Sequence, residues 1–183
     1  MLFRSDVDGD GVEEIFAGVP DLRVGKKKMA GGIFVGEKVV NGCDFAVSSY
    51  LLPIPDSLID KKYQLGTSVA IIPDLDNDGM RELAVGVVGA DKASGKVYVL
   101  FLQKDQDGFS VKNVNICSPA NVVKKLYFGS DIAWLGDLDG DSHPEFAVGT
   151  PGDKERGPFT GAFHLCSYVN GVFVEKGVFH LPT

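Results

Sequence analysis

The sequence predicts an all-β protein assembled from three tandem four-stranded antiparallel units. Its 23 glycines and nine prolines punctuate 183 residues in which apolar side chains, 44% of the total, fall into short runs rather than long helical periods. A segment opening at Asp6 recurs at Asp74 and again at Asp137, spacings of 68 and 63 residues. Each recurrence carries the same apolar runs and turn signals in the same order, which chance does not produce.

Every copy opens on an acidic loop: Asp6-Val-Asp-Gly-Asp-Gly-Val-Glu-Glu14, Asp74-Leu-Asp-Asn-Asp-Gly-Met-Arg-Glu82 and Asp137-Leu-Asp-Gly-Asp-Ser-His-Pro-Glu145. A short apolar strand follows directly, at Ile15–Val19, Leu83–Val87 and Phe146–Thr150. Next comes a glycine-led run, from Gly32, Gly95 and Gly161. Asn41-Gly42, Asp107-Gly108 and Asn170-Gly171 then signal hairpins, because a type I′ turn needs positive φ at both central residues. Pro53, Pro119 and Pro182 close the copies. A leading strand precedes the loop at Leu65–Ala70 and Phe128–Ala133. The first copy, with five residues before Asp6, is expected to lack it.

The expected repeats are residues 1–57 (without the first strand), 58–121 and 122–183, all in one domain. A four-stranded unit of about sixty residues cannot bury both faces alone, so it must stack on its neighbours as propeller blades do. Three blades are fewer than the four to eight that usually close such a ring. The chain therefore reads as a segment of a larger propeller. The connections Ile54–Gln64 and Ala120–Tyr127 are poor in Gly and Ser and do not read as flexible linkers.

A net charge of -7 and a pI near 4.9 argue against a nucleic-acid partner. No run of 18 apolar residues is present, so no segment reads as spanning a membrane by a helix, and the start has no signal-peptide pattern. Cys43, Cys117 and Cys166 are odd in number and read as buried or free thiols rather than a disulfide framework.

Alternate residues of a tight loop can point at one centre, so positions 1, 3 and 5 can surround a hard cation. A carbonyl at position 7 and a carboxylate at position 9 complete an all-oxygen shell of the kind Ca²⁺ prefers. Twelve of the 25 acidic residues stand at positions 1, 3, 5 and 9 of the three loops, and three Ca²⁺ ions would bring the charge from -7 to -1. A solvated acidic turn is the alternative for any single loop, but three in register favour metal sites. An EF-hand is excluded on spacing, since it needs a bidentate Glu at position 12 and flanking helices. Position 12 is Ala17, Val85 and Val148, each inside a short apolar run.

These residues resemble the FG-GAP repeats of the integrin α-subunit β-propeller and related proteins. Phe128-Gly129, and more weakly Leu65-Gly66, correspond to the Phe-Gly of the name. Gly18-Val19-Pro20 and Gly149-Thr150-Pro151 correspond to the Gly-Ala-Pro, from which Gly86-Val87-Val88 departs. The resemblance implies a β-propeller, of about seven blades in full, with the acidic loops joining the first two strands of each blade. It implies up to three Ca²⁺ ions. The ligands would be Asp6, Asp8, Asp10, the Val12 carbonyl and Glu14; Asp74, Asp76, Asp78, the Met80 carbonyl and Glu82; and Asp137, Asp139, Asp141, the His143 carbonyl and Glu145. Position 9 is commonly Asp in the family and is Glu in all three copies. The third loop has Ser142 in place of Gly and Pro144 after it, and is expected to be the weakest.

No Gly-x-Ser-x-Gly, His-Glu-x-x-His or phosphate-binding Gly-x-x-x-x-Gly-Lys-Ser/Thr occurs. His143, His164 and His180 lack partner motifs and read as solvated or packed. Lys26-Lys27-Lys28 reads as an exposed charge run, with contact to an acidic partner as the minor alternative. The reading is thus a non-enzymatic, extracellular or cell-surface binding module. Its blade-connecting loops would engage a protein or glycan, beside the remaining blades of a parent propeller. The alternatives are an accessory propeller of a larger secreted phospholipase or glycan hydrolase, and a purely architectural array.

Overall fold

The structure is a computed structural model that describes residues 2–41, 44–157 and 160–180. The chain forms three four-stranded antiparallel sheets, each a meander of consecutive strands. Blade 1 holds β1 (Leu2–Ser5), β2 (Glu14–Gly18), β3 (Ile33–Asn41) and β4 (Asp44–Leu51). Blade 2 holds β5 (Leu65–Ile72), β6 (Glu82–Val87), β7 (Lys96–Asp105) and β8 (Gly108–Cys117). Blade 3 holds β9 (Ile132–Gly136), β10 (Glu145–Thr150), β11 (Ala162–Val169) and β12 (Val172–His180).

One expectation is corrected here. The first copy does have its leading strand: Leu2 to Ser5 pair with Ala17 to Glu14 of β2. Only the residues directly before the acidic loop are needed to build this ladder, and the corresponding β9 is itself only five residues long. The hairpin signals fare unevenly. Asn170 (φ +49°) and Gly171 (φ +84°) do occupy a two-residue turn between β11 and β12. Asp107-Gly108 does not, because Asp105 pairs with Gly108 and the turn is Gln106-Asp107. Gly108 instead lies against Tyr50 of blade 1, where a Cβ would stand 2.4 Å from the phenol oxygen. The third signal includes Gly42, outside the described residues.

The core lies between the sheets. Period-two alternation sends Leu83, Val85 and Val87 of β6, with Tyr98, Leu100 and Leu102 of β7, toward blade 1. There they meet Phe16, Ile33 and Val35. Ala84, Val97, Val99 and Phe101 face the other way, onto Phe128, Phe146 and Val148 of blade 3. All six residues of β6 are buried, as a strand with an apolar layer on each face must be. Cys117 and Cys166 are buried free thiols in this second layer, with their sulfurs 3.5 Å apart; Cys43 is outside the described residues.

Glycine fixes how closely the blades approach. A Cβ on Gly18 would stand 2.0 Å from the Gly66 carbonyl oxygen, and one on Gly86 2.0 Å from that of Gly129. Gly31 meets Leu65, and Gly95 meets Phe128, in the same relation and through single parallel bridges. The third copy repeats the glycines, and among the described residues no further blade lies against them. The nearest heavy atoms to a Cβ on Gly149 and Gly161 belong to Asp131 and Pro151 of the same blade. Both line a cavity of about 440 Å³ with Phe163 and Phe179. These two rings stack 5.0 Å apart and are about half exposed.

Candidate metal centres

The three acidic loops join the first two strands of their blades and share one hydrogen-bond scaffold. The position-1 carboxylate accepts the N–H of position 6: Gly11 to Asp6 at 3.0 Å, Gly79 to Asp74 at 2.8 Å, Ser142 to Asp137 at 3.0 Å. The position-5 carboxylate accepts the N–H of position 7: Val12 to Asp10 at 2.7 Å, Met80 to Asp78 at 2.9 Å, His143 to Asp141 at 2.8 Å. These short-range bonds are what Asp favours in turns, and they fold the carboxylates inward. Positions 4 and 6 both have positive φ, at Gly9 and Gly11, Asn77 and Gly79, Gly140 and Ser142. Asn and Gly enter this region easily, whereas Ser142 at +67° is strained.

The position-9 glutamates act as clamps. Glu14, Glu82 and Glu145 are each 1% exposed. They accept the backbone N–H of Val7, Leu75 and Leu138, the second residue of each loop, at 2.9, 2.8 and 2.8 Å. One carboxylate oxygen thus ties the end of the loop to its beginning. Burial pushes the Glu14 carboxyl up to about 7 and that of Glu82 up to about 8, against the backbone hydrogen bond that pulls each down.

Side-chain oxygens of Asp74, Asp76, Asp78 and Glu82 lie within 4.8 Å of one another, as do those of Asp6, Asp8 and Asp10, and those of Asp137, Asp139 and Glu145. The second loop gathers its full predicted carboxylate set. Glu14 stands outside the first group, and Asp141 outside the third, where it meets Lys176 at 2.8 Å. Val12, Met80 and His143 occupy the predicted carbonyl positions, their N–H groups engaged by position 5. The donor set fits a hard divalent cation: all oxygen and mostly carboxylate. Two atoms support that fit directly. Asp6 Oδ1 and Glu145 Oε1 are buried and have no hydrogen-bond partner among the described residues, an arrangement that calls for one.

The loops also differ. Arg81 N donates to Val7 O at 2.9 Å, bracing the second loop against the first. The same position in the third loop is Pro144, which has no N–H to give. A cavity of about 380 Å³ lies between the second and third loops, lined by Asp74, Trp134, His143 and Pro144 among others.

Three features lay outside the sequence-based site. Asp153, Glu155 and His180 gather at blade 3, with His180 Nε2 3.2 Å from Asp153 and 3.5 Å from Glu155. His164 is packed, against Glu175 at 2.8 Å and edge-on to Phe128. Within the lysine run, Lys26 and Lys28 are exposed, while Lys27 donates to the carbonyls of Asp56 and Ile59 at 3.1 and 2.7 Å. That ties blade 1 to the connection following it.

The fold and loops define a class of protein: a propeller segment whose blades each carry an acidic first hairpin. The sequence matches the FG-GAP repeat over residues 65–100 and 128–166, within blades 2 and 3. The chain is similar to integrin alpha-PS5 of Drosophila melanogaster, at 24% identity over 154 residues, 82% of this chain and 14% of that protein. It is similar to integrin alpha-6 of Homo sapiens, at 29% over 151 residues, 81% of this chain and 12% of that protein. It is also similar to phosphatidylinositol-glycan-specific phospholipase D of Bos taurus, at 27% over 190 residues, 91% of this chain and 20% of that protein. The chain thus spans between about an eighth and a fifth of the length of these relatives. Among the described residues no helix is long and apolar enough to cross a membrane.

Proposed function

We propose that this chain is a calcium-binding, non-enzymatic propeller module that serves protein or glycan recognition at the cell surface or outside the cell. The observation that carries the calcium reading is the shared scaffold of the three loops, with the orphaned oxygens of Asp6 and Glu145 within it. The ligands are Asp6, Asp8, Asp10, the Val12 carbonyl and Glu14 in the first loop. Asp74, Asp76, Asp78, the Met80 carbonyl and Glu82 serve the second. Asp137, Asp139, Asp141, the His143 carbonyl and Glu145 serve the third. Bound calcium replaces carboxylate repulsion with attraction and holds the first hairpin of each blade. Calorimetry with CaCl₂ tests this directly; a chain that takes up no calcium contradicts it.

Recognition belongs to the blade-connecting loops at the ends opposite the acidic hairpins, and the similarity to integrin α subunits supports it. The open side of blade 3 supports the presence of further blades. Gly149 and Gly161 repeat the glycines that receive Leu65-Gly66 and Phe128-Gly129 at the two junctions within the chain. A second reading, an accessory propeller of a secreted phospholipase or glycan hydrolase, is favoured by the similarity to the phospholipase D. Binding of the isolated chain to a panel of matrix proteins and glycans in calcium, against the same panel in EGTA, separates recognition from a purely architectural role.

A further inference from the structure

Each acidic loop is met by a lysine, and in two blades a backbone irregularity delivers it. In blade 2, Phe101 pairs with Asn113 and Leu102 with Val111, which leaves Lys112 as the extra residue of a β-bulge in β8. In blade 3, Leu165 pairs with Gly177 and Cys166 with Glu175, which leaves Lys176 as the extra residue of a bulge in β12. A bulge re-aims the side chain it carries. Lys112 Nζ reaches Asp76 at 2.9 Å and Asp78 at 2.8 Å. Lys176 Nζ reaches Asp139 at 3.4 Å and Asp141 at 2.8 Å. Both ammonium groups therefore contact the carboxylates of positions 3 and 5. The two bulges lie on different rungs of their sheets, so the shared feature is the destination of the charge.

Blade 1 lacks the device and is served from outside. Its outer strand β4 contains no lysine and pairs with β3 without a register shift. Lys104 of β7 in blade 2 fills the role, lying against Asp8 and near Asp10 (3.6 Å) and Glu37 (3.9 Å). An isolated surface ion pair would carry little weight. Three lysines reaching the same two loop positions, by two different routes, are a pattern of the fold.

We propose that Lys104, Lys112 and Lys176 are tethered counter-cations that set the calcium affinity of the loops. When calcium is scarce, the ammonium holds the carboxylates of positions 3 and 5 together and keeps the hairpin formed. When calcium binds, the same two carboxylates turn to the ion. The lysine, now facing a dication of like sign, withdraws to solvent. Binding is thus an exchange of a tethered monovalent charge for a free divalent one, and its affinity is lower than the carboxylates alone would give. The proposal rests on the calcium reading of the loops.

The test uses the whole chain and its Lys112→Gln and Lys176→Gln variants, with CaCl₂ as the probe in calorimetry and thermal unfolding in EGTA as a second readout. Each substitution is expected to tighten one calcium site about tenfold, the order expected for removing one nearby like charge of partly solvated character. Each should also lower the Tm in EGTA. Lys112→Arg, which keeps the charge, should bind calcium like the wild type, and Lys61→Gln, on the connection between blades 1 and 2, should change little. Unchanged or weaker calcium binding in both glutamine variants, with wild-type uptake intact, overturns this proposal alone. A wild-type chain that takes up no calcium overturns it together with the reading on which it rests.

Discussion

Gly86 and Gly129 meet backbone to backbone: a Cβ on Gly86 would stand 2.0 Å from the Gly129 carbonyl oxygen and 2.3 Å from Ser68 Oγ. The Ser68 hydroxyl donates to that same carbonyl at 2.7 Å. Blade 3 is therefore seated on blade 2 through two glycines and a serine, with Phe128 buried beside them.

Gly86→Ala places a methyl group where backbone already stands. The expected loss is about 1–3 kcal/mol, the range for overpacking a close contact, read from urea unfolding. Gly149→Ala occupies the corresponding position of blade 3, where the nearest atom is 3.5 Å away. In this chain it should change stability by less than about 0.5 kcal/mol. Equal losses from the two substitutions would contradict the role assigned to the glycine contact.

Ser142→Gly relieves a side chain held at φ +67°. Left-handed backbone costs a non-glycine residue roughly 1–2 kcal/mol, and the added freedom of glycine in the unfolded chain returns part of the gain. A net stabilisation of about 0.5–1 kcal/mol is expected in thermal unfolding, with tighter calcium binding at the third loop.

The buried glutamates give the calcium-free protein a pH dependence of definite sign. Glu14 and Glu82 are raised from an ordinary 4.5 to about 7 and about 8 in the folded chain. The fold thus holds protons that the unfolded chain releases. The stabilisation is fully present below about 4.5 and is lost as pH rises through 7 to 8. Asp78 and Asp141, pulled below the usual carboxylate range by Lys112 and Lys176, titrate well below that window. With calcium removed, the Tm should fall between pH 5.5 and 8.5. With saturating calcium the trend should flatten or reverse, because the ionised carboxylates are then the ligands. A Tm without calcium that rises over this range would contradict the burial of these groups as acids.

Much of this was legible in the sequence because it repeats. The acidic loops, the strands after them and the paired glycines are local patterns, and three copies separate pattern from accident. The leading strand of blade 1 was not legible, since its residues carry no Phe-Gly and only pairing with β2 defines them. The bulges at Lys112 and Lys176 were hidden for a related reason: a bulge is a property of register between two strands, and neither strand shows it alone. The Asp107-Gly108 signal misled because contact with Tyr50, from another blade, accounts for the glycine better than the turn does. The clamping role of the position-9 glutamates needed the fold as well, since it depends on the depth to which each side chain is buried. The choice of Glu over Asp is consistent with a side chain long enough to reach back to position 2.

Thermal unfolding in saturating CaCl₂ against excess EGTA at pH 7.5 measures whether calcium holds the acidic hairpins of the blades. At calcium one hundredfold above Kd, each independent site adds about 2.7 kcal/mol. For a chain of this size that corresponds to roughly 5–10 °C per occupied site. A rise of at least that size is expected, reduced by Asp76→Asn and Asp78→Asn together. The same Tm in calcium and in EGTA would contradict it.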